Sequence, residues 1–372
     1  MLCAVAAVGL ASALVAQPAA TNPTRVLTTR EWHVPTEILK DILPAGDLVF
    51  FYTAVELKAV PPSSRGGHYS TFFQLNTKTG ACSEVADLLP ASGAPSKRLV
   101  SFIQVAPDGR HALICAWPSP SRSASGPSSL ASTLYVFEIG KEKANVVDST
   151  AHEPLCPGQW SVWRDRGAFF VTGIDAQDRV TEPQLYDLTG KKVGSLGVFV
   201  TLMGVSDDGN AMLAYGDPNK LKEPSHGQEL AKTGRTMMLD RDCKIITKVD
   251  AYSPCRISFN GKYFAGTIPD KAAASRPATR PFLPTVALFP FGEKQMRFVE
   301  CIHVGKSGDM LGVVPHSKDG LISGDLVRWS SDGAKKTLLE GVRCAAVGDD
   351  TLYYVPADTL KTLKAVKLAD LK

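Results

Sequence analysis

Short polar turns that lead into apolar strands recur along this chain at regular intervals. One copy reads Pro107-Asp108-Gly109-Arg110 and runs into the apolar residues 112–114. An Asp-Gly or Asn-Gly pair between apolar runs predicts a β-hairpin, because the tight hairpin turns need positive φ at their centre. The turns are centred on Gly46, Gly109, Gly167, Gly209, Gly261, Gly308 and Gly348. Their mean spacing of about 50 residues indicates a repeat protein.

A second hairpin pattern, an apolar strand followed by a polar turn and another strand, comes after each of these turns. Residues 74–80 and 185–193 are two examples. Each repeat therefore offers four strands, which we label A to D. Four strands in roughly every 40 to 60 residues is the period of a β-propeller blade. The B strands at 48–52 and 168–171 are continuously apolar, as expected where neighbouring blades cover both faces of a sheet.

The sequence predicts an all-β chain that folds as one β-propeller over residues 24–372. We expect seven four-stranded blades, with six or eight as the alternatives. The last repeat is short, because only the strand at 363–368 follows its B strand. Residues 25–33 are expected to supply the missing outer strand. Pairing of the N- and C-terminal strands would close the ring and remove an open sheet edge.

The Pro107-Asp108-Gly109-Arg110 turn and its copies resemble the WD40-like repeat of TolB-type propellers, which are periplasmic proteins. The resemblance covers the repeat pattern of the whole mature chain. The chain departs from true WD40 repeats, since it has no Trp-Asp pair and only one Gly-His pair, Gly67-His68. It also devotes nearly every residue to blades, whereas TolB has an α/β domain before its propeller. The resemblance therefore implies the architecture and, at most, a periplasmic binding propeller.

The N-terminal segment has the composition of a secretory signal. Residues 1–24 contain no charged side chain, and residues 1–16 are almost wholly apolar. We therefore predict a signal peptide over residues 1–20, whose apolar run is too short to span a bilayer as a helix. No Lys or Arg precedes this run, so an apolar tail or a cytoplasmic chain is the alternative. The prediction places the mature chain in the periplasm or outside the cell, without a membrane span.

Charge and cysteine content narrow the function classes. The 41 Lys and Arg residues against 37 Asp and Glu residues give a net charge of +4. These charges are spread along the chain, which argues against a nucleic-acid partner.

Of the eight cysteines, seven would remain after loss of Cys3 with the signal. An odd number implies at least one free thiol or an intermolecular bond, and disulfide formation stays open.

The connections between B and C strands are long and varied, whereas the A–B and C–D turns are short. In a propeller these two sets lie on opposite faces, and long loops on a rigid scaffold are where binding residues concentrate. The predicted B–C loops span residues 56–69, 118–132, 174–182, 217–233, 270–284 and 315–324. We therefore predict a ligand-binding face built from these loops. The alternative is that the loops are insertions that bind no ligand.

The candidate binding residues on this face are mostly arginines. Bidentate hydrogen bonds from convergent arginines would suit an anionic ligand, with solvated loop arginines as the alternative. Two tryptophans on the third A strand are candidates to stack on a ligand at the channel mouth, or to pack between blades. The candidates are Arg65, Arg122, Trp160, Trp163, Arg276, Arg280 and His316.

A second constellation lies on three successive A strands, next to the expected central axis. It consists of Cys255, Cys301, His303 and Cys344. Cys and His side chains are zinc ligands, and neighbouring cysteines form a disulfide when their Cα atoms lie close enough. The alternative is that free cysteines pack as small apolar side chains where the inner strands converge. We predict no cofactor and no metal, and keep this group as the one metal candidate.

The sequence favours an exported, non-catalytic propeller that binds a protein or a cell-envelope component through its B–C loops, as a monomer. The alternative is a propeller enzyme of the lactonase or lyase kind, with its site at the central channel. Such an enzyme needs several acid–base or metal-binding groups in one pocket. The A strands offer only His303, Arg256 and Arg343, with Glu37 and Asp41 near the first of them. We therefore assign no catalytic residue.

Overall fold

The computed structural model of the protein describes residues 29–56, 68–90, 98–106, 109–118, 133–147, 156–163, 167–172, 177, 179–206, 209–249, 253–257, 262–268, 285–289, 295–297, 300–305, 307–317, 320–330, 332 and 334–371. The regular secondary structure of these residues is almost entirely β-strand, which confirms the predicted all-β class. In this part of the chain, no helix has the length and hydropathy needed to cross a bilayer. The predicted signal peptide lies outside the described residues.

The first strand, β1 (Arg30–His33), belongs to the last sheet, and five four-stranded sheets follow it along the chain. Blade 1 contains β2 (Ile38–Ala45), β3 (Leu48–Glu56), β4 (His68–Asn76) and β5 (Cys82–Glu84). Blade 2 contains β6 (Arg98–Val105), β7 (His111–Pro118), β8 (Thr133–Glu138) and β9 (Asn145–Val146). Blade 3 contains β10 (Cys156–Trp163), β11 (Gly167–Thr172), β12 (Gln184–Tyr186) and β13 (Lys192–Ser195).

The next two sheets repeat the same antiparallel order, and one of them carries a helix. Blade 4 contains β14 (Thr201–Val205), β15 (Ala211–Gly216), α1 (Gly227–Thr233), β16 (Arg235–Asp240) and β17 (Ile245–Val249). Blade 5 contains β18 (Ser253–Ile257), β19 (Phe264–Ile268), β20 (Thr285–Phe289) and β21 (Gln295–Arg297). The predicted unit of four consecutive strands is therefore present in all five of these sheets.

The remaining strands form one seven-stranded sheet, which we call the terminal sheet. Its strands are β22 (Glu300–Val304), β23 (Met310–Ser317), β24 (Gly320–Trp329), β25 (Lys335–Gly348), β26 (Thr351–Pro356), β27 (Thr362–Lys367) and β1. The first half of the long strand β25 pairs with β24 and its second half pairs with β26. At the far edge, β1 pairs antiparallel with β27, with Trp32 opposite Leu363. One continuous strand thus serves two successive groups of four.

The innermost strands contact one another in chain order, from β2 through β6, β10, β14, β18 and β22 to β25. The strand β25 in turn contacts β2, and Gly348 at its end lies so close to Pro44 that an added Cβ would be 2.4 Å from the proline Cβ. These contacts support a ring in which the terminal sheet supplies two blades. The number of seven blades and the closure of the ring stay predictions.

The core of the protein lies between neighbouring sheets, and consecutive residues of a B strand point into different layers. Phe50 packs with residues of blade 2, whereas Phe51 packs with residues of the terminal sheet, and both are fully buried. Phe169 and Phe170 divide in the same way between blades 2 and 4. This double burial is the physical reason that B strands read as continuous apolar runs rather than as alternating ones.

In blades 1, 2 and 4, the C–D turn contacts the outer part of the preceding sheet. In blade 1, Thr77 O accepts a hydrogen bond from Trp32 Nε1 of β1 at 3.1 Å. In blade 2, Ala144 N donates to Leu88 O at 2.9 Å, next to β5. In blade 4, the Cys243 thiol donates to Leu196 O at 3.7 Å, just after β13. The turns therefore link the blades as well as closing hairpins.

Most of the predicted A–B turns have the expected backbone geometry. Gly46, Gly109, Gly209 and Gly308 all have positive φ. The prediction at Gly348 is wrong in register, because that residue ends β25 and the positive φ of 52° falls on Asp349. Asp tolerates this conformation better than most residues, since its short side chain bonds to nearby backbone. The predicted turn at Gly261 lies outside the described residues.

Asp187 stabilises the C–D turn of blade 3, and its contribution is expected to depend on pH. Its Oδ1 accepts hydrogen bonds from Thr189 Oγ1 at 2.6 Å, Thr189 N at 2.9 Å and Lys191 N at 3.0 Å. The Thr189 hydroxyl, more than any other group, holds the pKa of Asp187 below its usual value. Since the folded-state pKa is depressed, the stabilisation is present above the unfolded pKa and is lost as pH falls through the folded one.

We expect Asp187→Ala to lower the midpoint of urea unfolding at pH 7 and to have a smaller effect near pH 3. Leu188→Ala in the same turn keeps the carboxylate and should show no such difference between the two pH values. An equal loss for Asp187→Ala at both pH values would contradict this role of the carboxylate.

Candidate functional site

The face that carries the B–C connections is described for blades 3 and 4 and for the terminal sheet. The predicted arginines Arg65, Arg122, Arg276 and Arg280 all lie outside the described residues. Strand β10 carries Trp160 opposite Phe169 and Trp163 opposite Gly167, and the side chains of both tryptophans are also outside the described part. The predicted convergence of these residues on a ligand therefore stays a prediction.

His316 does not lie in a long loop. The prediction of a loop over residues 315–324 is wrong, because β23 extends to Ser317 and β24 starts at Gly320. Continued cross-strand pairing, including Pro315 with Gly324, turns most of that segment into a hairpin. The exposed His316 ring contacts the Asp325 carboxylate through Nε2 and Oδ1. This histidine–carboxylate pair is at the B–C face but is separate from the other described features.

The connection between β15 and β16, residues 217–234, is the best described of the long B–C loops, and we call it the helical loop. It contains α1, whose residues Gln228 and Lys232 are exposed, whereas Leu230 is buried. Tyr215 donates its phenolic hydrogen to Leu230 O at 2.8 Å, and Gly234 N donates to the same carbonyl at 2.8 Å. The helix is thus held on the end of blade 4 and has a defined orientation.

The helical loop also binds to the B–C connection of blade 3. Val180 N donates to Ser225 O at 3.1 Å, and Arg179 forms an isolated antiparallel bridge with His226. The His226 ring contacts Gln177 O through Nδ1 at 3.1 Å. Val180 and Ser225 are both buried. The described parts of the two connections are therefore joined by hydrogen bonds, and the Gln177 and His226 side chains there are exposed.

Asp217 is the buried acidic residue at the start of the helical loop. It is only 4% exposed, and its Oδ1 accepts a hydrogen bond from Asn219 N at 2.9 Å. This backbone hydrogen bond, and then the Thr233 hydroxyl, hold the pKa of Asp217 below its usual value. The carboxylate therefore joins the two ends of the helical loop.

Asp217→Ala is expected to loosen the helical loop without unfolding the propeller. Hydrogen bonds to a buried charged group contribute about 2 kcal/mol, which corresponds to a roughly thirtyfold change in local opening. Hydrogen exchange of the amides of residues 221–234 should accelerate by about that factor. Glu223→Ala, at an exposed position of the same loop, is the control. Unchanged exchange in the Asp217→Ala variant would show that the loop is held by other contacts.

A groove opens on the same face, where blade 1 meets the terminal sheet, and we call it the seam groove. Its volume is about 430 Å³, within the range of small-ligand sites. One wall is formed by the β1–β2 connection and the other by the turn between β26 and β27. The lining residues are Glu37, Ala357, Asp358, Thr359, Leu360, Lys361 and Thr362.

The inner strands carry a repeated irregularity that the sequence did not indicate. Each of the seven described pairings between an A strand and its B strand contains a register shift typical of a β-bulge. Asp41, His303 and Arg343 lie at or beside these bulges, and each is half-buried. Their neighbours Ile42 and Cys344 are buried in the layer between the terminal sheet and blade 1. Bulges often re-aim side chains beside functional sites.

The predicted cysteine and histidine group is described only in part. Cys344 is 4% exposed and packs in the apolar layer between the terminal sheet and blade 1. The side chains of Cys255 and Cys301 lie outside the described part. Within that part, no three His, Cys, Asp or Glu side chains come close enough to hold a metal ion. Metal binding by the full group stays untested.

Among the described cysteines, Cys115 and Cys344 are buried, whereas Cys82 and Cys243 are half-buried. Burial raises the pKa of the Cys82 thiol to about 11, so it is uncharged at neutral pH and a poor nucleophile.

Two features of the face were missed by sequence reasoning. The segment 217–233 was predicted only as a B–C loop, although Glu229 and Lys232 flank an apolar Leu230 in a short helical pattern. The seam groove joins residues more than 300 positions apart, and no local pattern signals such a meeting.

Comparison with known proteins supports the architecture alone. No protein-family model and no curated protein matches the chain. Among solved structures, the β-propeller domain of the trilobed protease from Pyrococcus furiosus matches with a TM-score of 0.51 at 12% identity, over 86% of this chain and 91% of that one. That domain is described as having an open velcro topology, whereas in this chain β1 pairs with β27.

Two further structures match with lower scores. The hydrazine synthase of Kuenenia stuttgartiensis has a TM-score of 0.48 at 13% identity, over 93% of this chain and 98% of that one. An acylaminoacyl peptidase of Pyrococcus horikoshii has a TM-score of 0.49 at 13% identity, over 86% of this chain and 49% of that one. The chain thus spans about half of the peptidase. Together with the strand order, the likeness to the trilobed protease domain shows that this chain has the β-propeller fold.

Proposed function

We propose that this chain is an exported, non-catalytic β-propeller that binds a protein or another cell-envelope component on its B–C face. The observation that carries the proposal is the docking of the helical loop onto blade 3. In this contact Val180 N donates a hydrogen bond to Ser225 O at 3.1 Å. A loop that is already ordered loses little conformational entropy when a partner binds. The mixed charge of this surface suits a protein partner better than a nucleic acid.

The asymmetry between the two faces supports this placement. The C–D turns are occupied in joining neighbouring sheets, as at Thr77 and Cys243. Among the described residues, the outer side of α1 makes no comparable contact with a neighbouring sheet, and Gln228 and Lys232 are exposed there. A binding surface on the B–C face would therefore leave the contacts that hold the ring intact.

Crosslinking capture from an envelope fraction tests the binding proposal. The full chain should recover a stoichiometric partner, and a variant with Gln228→Arg and Lys232→Glu on α1 should lose it. The matched control carries Lys141→Glu and Glu142→Arg on the opposite face, where both side chains are exposed. Loss of the partner in the control, or equal capture by all three proteins, would contradict binding on the B–C face.

Export is tested separately by cell fractionation. The complete chain should appear in the periplasm or medium without residues 1–20, and a variant that lacks this segment should stay in the cytoplasm. An intact N-terminus on cytoplasmic protein would contradict the export proposal.

A propeller enzyme with its site at the central channel is the second candidate. Asp41 favours it, because its φ of 52° lies within an inner strand rather than in a turn, and non-glycine residues in this conformation cluster at functional sites. Activity of the purified chain on lactones or uronic-acid polymers that is lost in Asp41→Asn would support this enzyme. Full activity of Asp41→Asn, or none in the native chain, would argue against it.

A further inference from the structure

The seam groove has fixed walls and belongs to both ends of the chain. Val34 N donates to Lys361 O at 2.9 Å, and Ile38 N donates to Leu360 O at 2.8 Å. These two hydrogen bonds flank Glu37 and hold the β1–β2 connection against the turn between β26 and β27. The groove is therefore a built feature of the fold rather than a gap between free loops.

Among the described residues, no ion pair involves the charged groups of the groove. Glu37 and Asp358 have exposed side chains, and neither is in an ion pair within the described part of the chain. Lys361 lines the same groove without pairing with either carboxylate. Thr359 donates a long hydrogen bond of 3.4 Å to Asp358 Oδ1. Two carboxylates thus face a space in which one lysine leaves a net negative charge.

Beneath Glu37, the polar groups are incompletely hydrogen-bonded. Thr53 Oγ1 donates to Glu37 O at 2.7 Å. Thr71, directly opposite Thr53 on the same face of blade 1, is only 1% exposed. Its hydroxyl and that of Thr36 have no hydrogen-bond partner among the described residues. Buried polar groups are normally satisfied by protein or water, so the β1–β2 connection packs against a polar part of blade 1.

We propose that the seam groove binds a lysine or arginine side chain of an extended peptide segment. The cationic head would donate hydrogen bonds to the Glu37 and Asp358 carboxylates, which are stronger than neutral ones. Its aliphatic stem would lie along Leu360, which is half-buried against the apolar layer below. This inference rests on the proposed function for the kind of partner, a protein on the B–C face.

Binding there is also expected to strengthen the pairing of β1 with β27. A ligand that contacts Glu37 and Asp358 together touches the residues on either side of that pairing. Because any ligand that prefers the closed form stabilises it, the bound peptide should slow hydrogen exchange in β1 and β27.

The test uses the purified chain with fluorescein-labelled tetra-lysine at low ionic strength, where exposed charges are least screened. The net charge of +4 opposes general attraction of this probe. We expect saturable binding, a roughly threefold to tenfold loss of affinity in Glu37→Gln and in Asp358→Asn, and a gain in Lys361→Gln. Glu223→Gln, on the same face, should bind as the native chain does, and tetra-glutamate should not compete.

The gain expected for Lys361→Gln keeps the test independent of misfolding, since a damaged protein would not bind more tightly. Equal affinity in the native chain and the Glu37→Gln and Asp358→Asn variants, or an equal loss in Glu223→Gln, would overturn the proposal. Failure to capture an envelope partner would contradict the proposed function but would leave the affinities measured with tetra-lysine unchanged. The two failures are therefore distinguishable.

Discussion

Replacing Gly190 by alanine is expected to lower the free energy of unfolding by about 3 kcal/mol. Gly190 lies in the C–D turn of blade 3 at φ +85°, where an L-residue is strained. An added Cβ would also lie 2.9 Å from Val146 O and 3.0 Å from Val147 Cα in the outer part of blade 2. Both neighbours are backbone atoms, so relief of the clash requires the two blades to separate.

Gly80→Ala is the matched control for this substitution. Gly80 occupies the equivalent C–D turn of blade 1 at φ +74°, and an added Cβ there would meet nothing within 4 Å. The expected loss is therefore only the conformational cost of about 1 kcal/mol. Urea unfolding of the two variants separates the strain of the turn from the contact between blades. Equal losses would mean that the C–D turn of blade 3 does not press on blade 2.

Trp32→Ala is expected to cost about 2 kcal/mol, because it removes the largest side chain that holds β1 in place. Trp32 is half-buried against the apolar layer between the terminal sheet and blade 1. Its indole Nε1 also donates to Thr77 O at 3.1 Å in the C–D turn of blade 1. Truncation of a fully buried aromatic residue lowers the free energy of unfolding by about 3–5 kcal/mol. The partial exposure of Trp32 makes the expected loss smaller.

Trp32→Phe separates the apolar contact from the hydrogen bond. The phenyl ring keeps much of the buried area and loses only the indole donor, so we expect a loss of about 1 kcal/mol. Both stability losses are measured by urea unfolding, followed with a probe other than tryptophan emission. Wild-type stability in Trp32→Ala would contradict the assignment of β1 as an integral strand of the terminal sheet.

The local part of the fold could be predicted from the sequence. Asp-Gly turns between apolar runs specify hairpins through backbone preferences that involve only neighbouring residues, and the positive φ of Gly109 and Gly209 agrees with this. The continuous apolar B strands identified sheets that are covered on both faces, as Phe50 and Phe51 confirm. At Gly348-Asp349 the predicted turn was out of register by one residue.

The contacts that create a candidate site are non-local and carry no such signal. Strands β23 and β24 extend to Ser317 and Gly320 because cross-strand pairing continues there. A polar segment that contains proline does not predict such pairing. The docking of His226 onto Gln177 joins two loops of different blades. Inner-strand bulges increase the local twist of a strand, and no residue pattern in this chain indicated their positions.

The seam groove links the proposed binding face to the pairing that would close the ring. The seam groove lies on the B–C face, and its walls contain the residues that precede β2 and follow β26. A partner that engages Glu37 and Asp358 would therefore act on the segment whose pairing joins the two ends of the chain. Loops such as the helical loop, by contrast, are expected to contribute affinity without affecting the ring.

Disulfide trapping of β1 against β27 tests the central claim, that the N-terminal strand completes the terminal sheet. Glu31 is in register with Lys364, and their side chains form an ion pair at 3.3 Å. A chain carrying Glu31→Cys and Lys364→Cys should form an intramolecular bond under mild oxidation, identified by mass spectrometry of the linked peptides. Glu31→Cys combined with Lys367→Cys, three residues out of register, should not. The absence of the in-register link, or links found only between two chains, would contradict a ring closed by its own first strand.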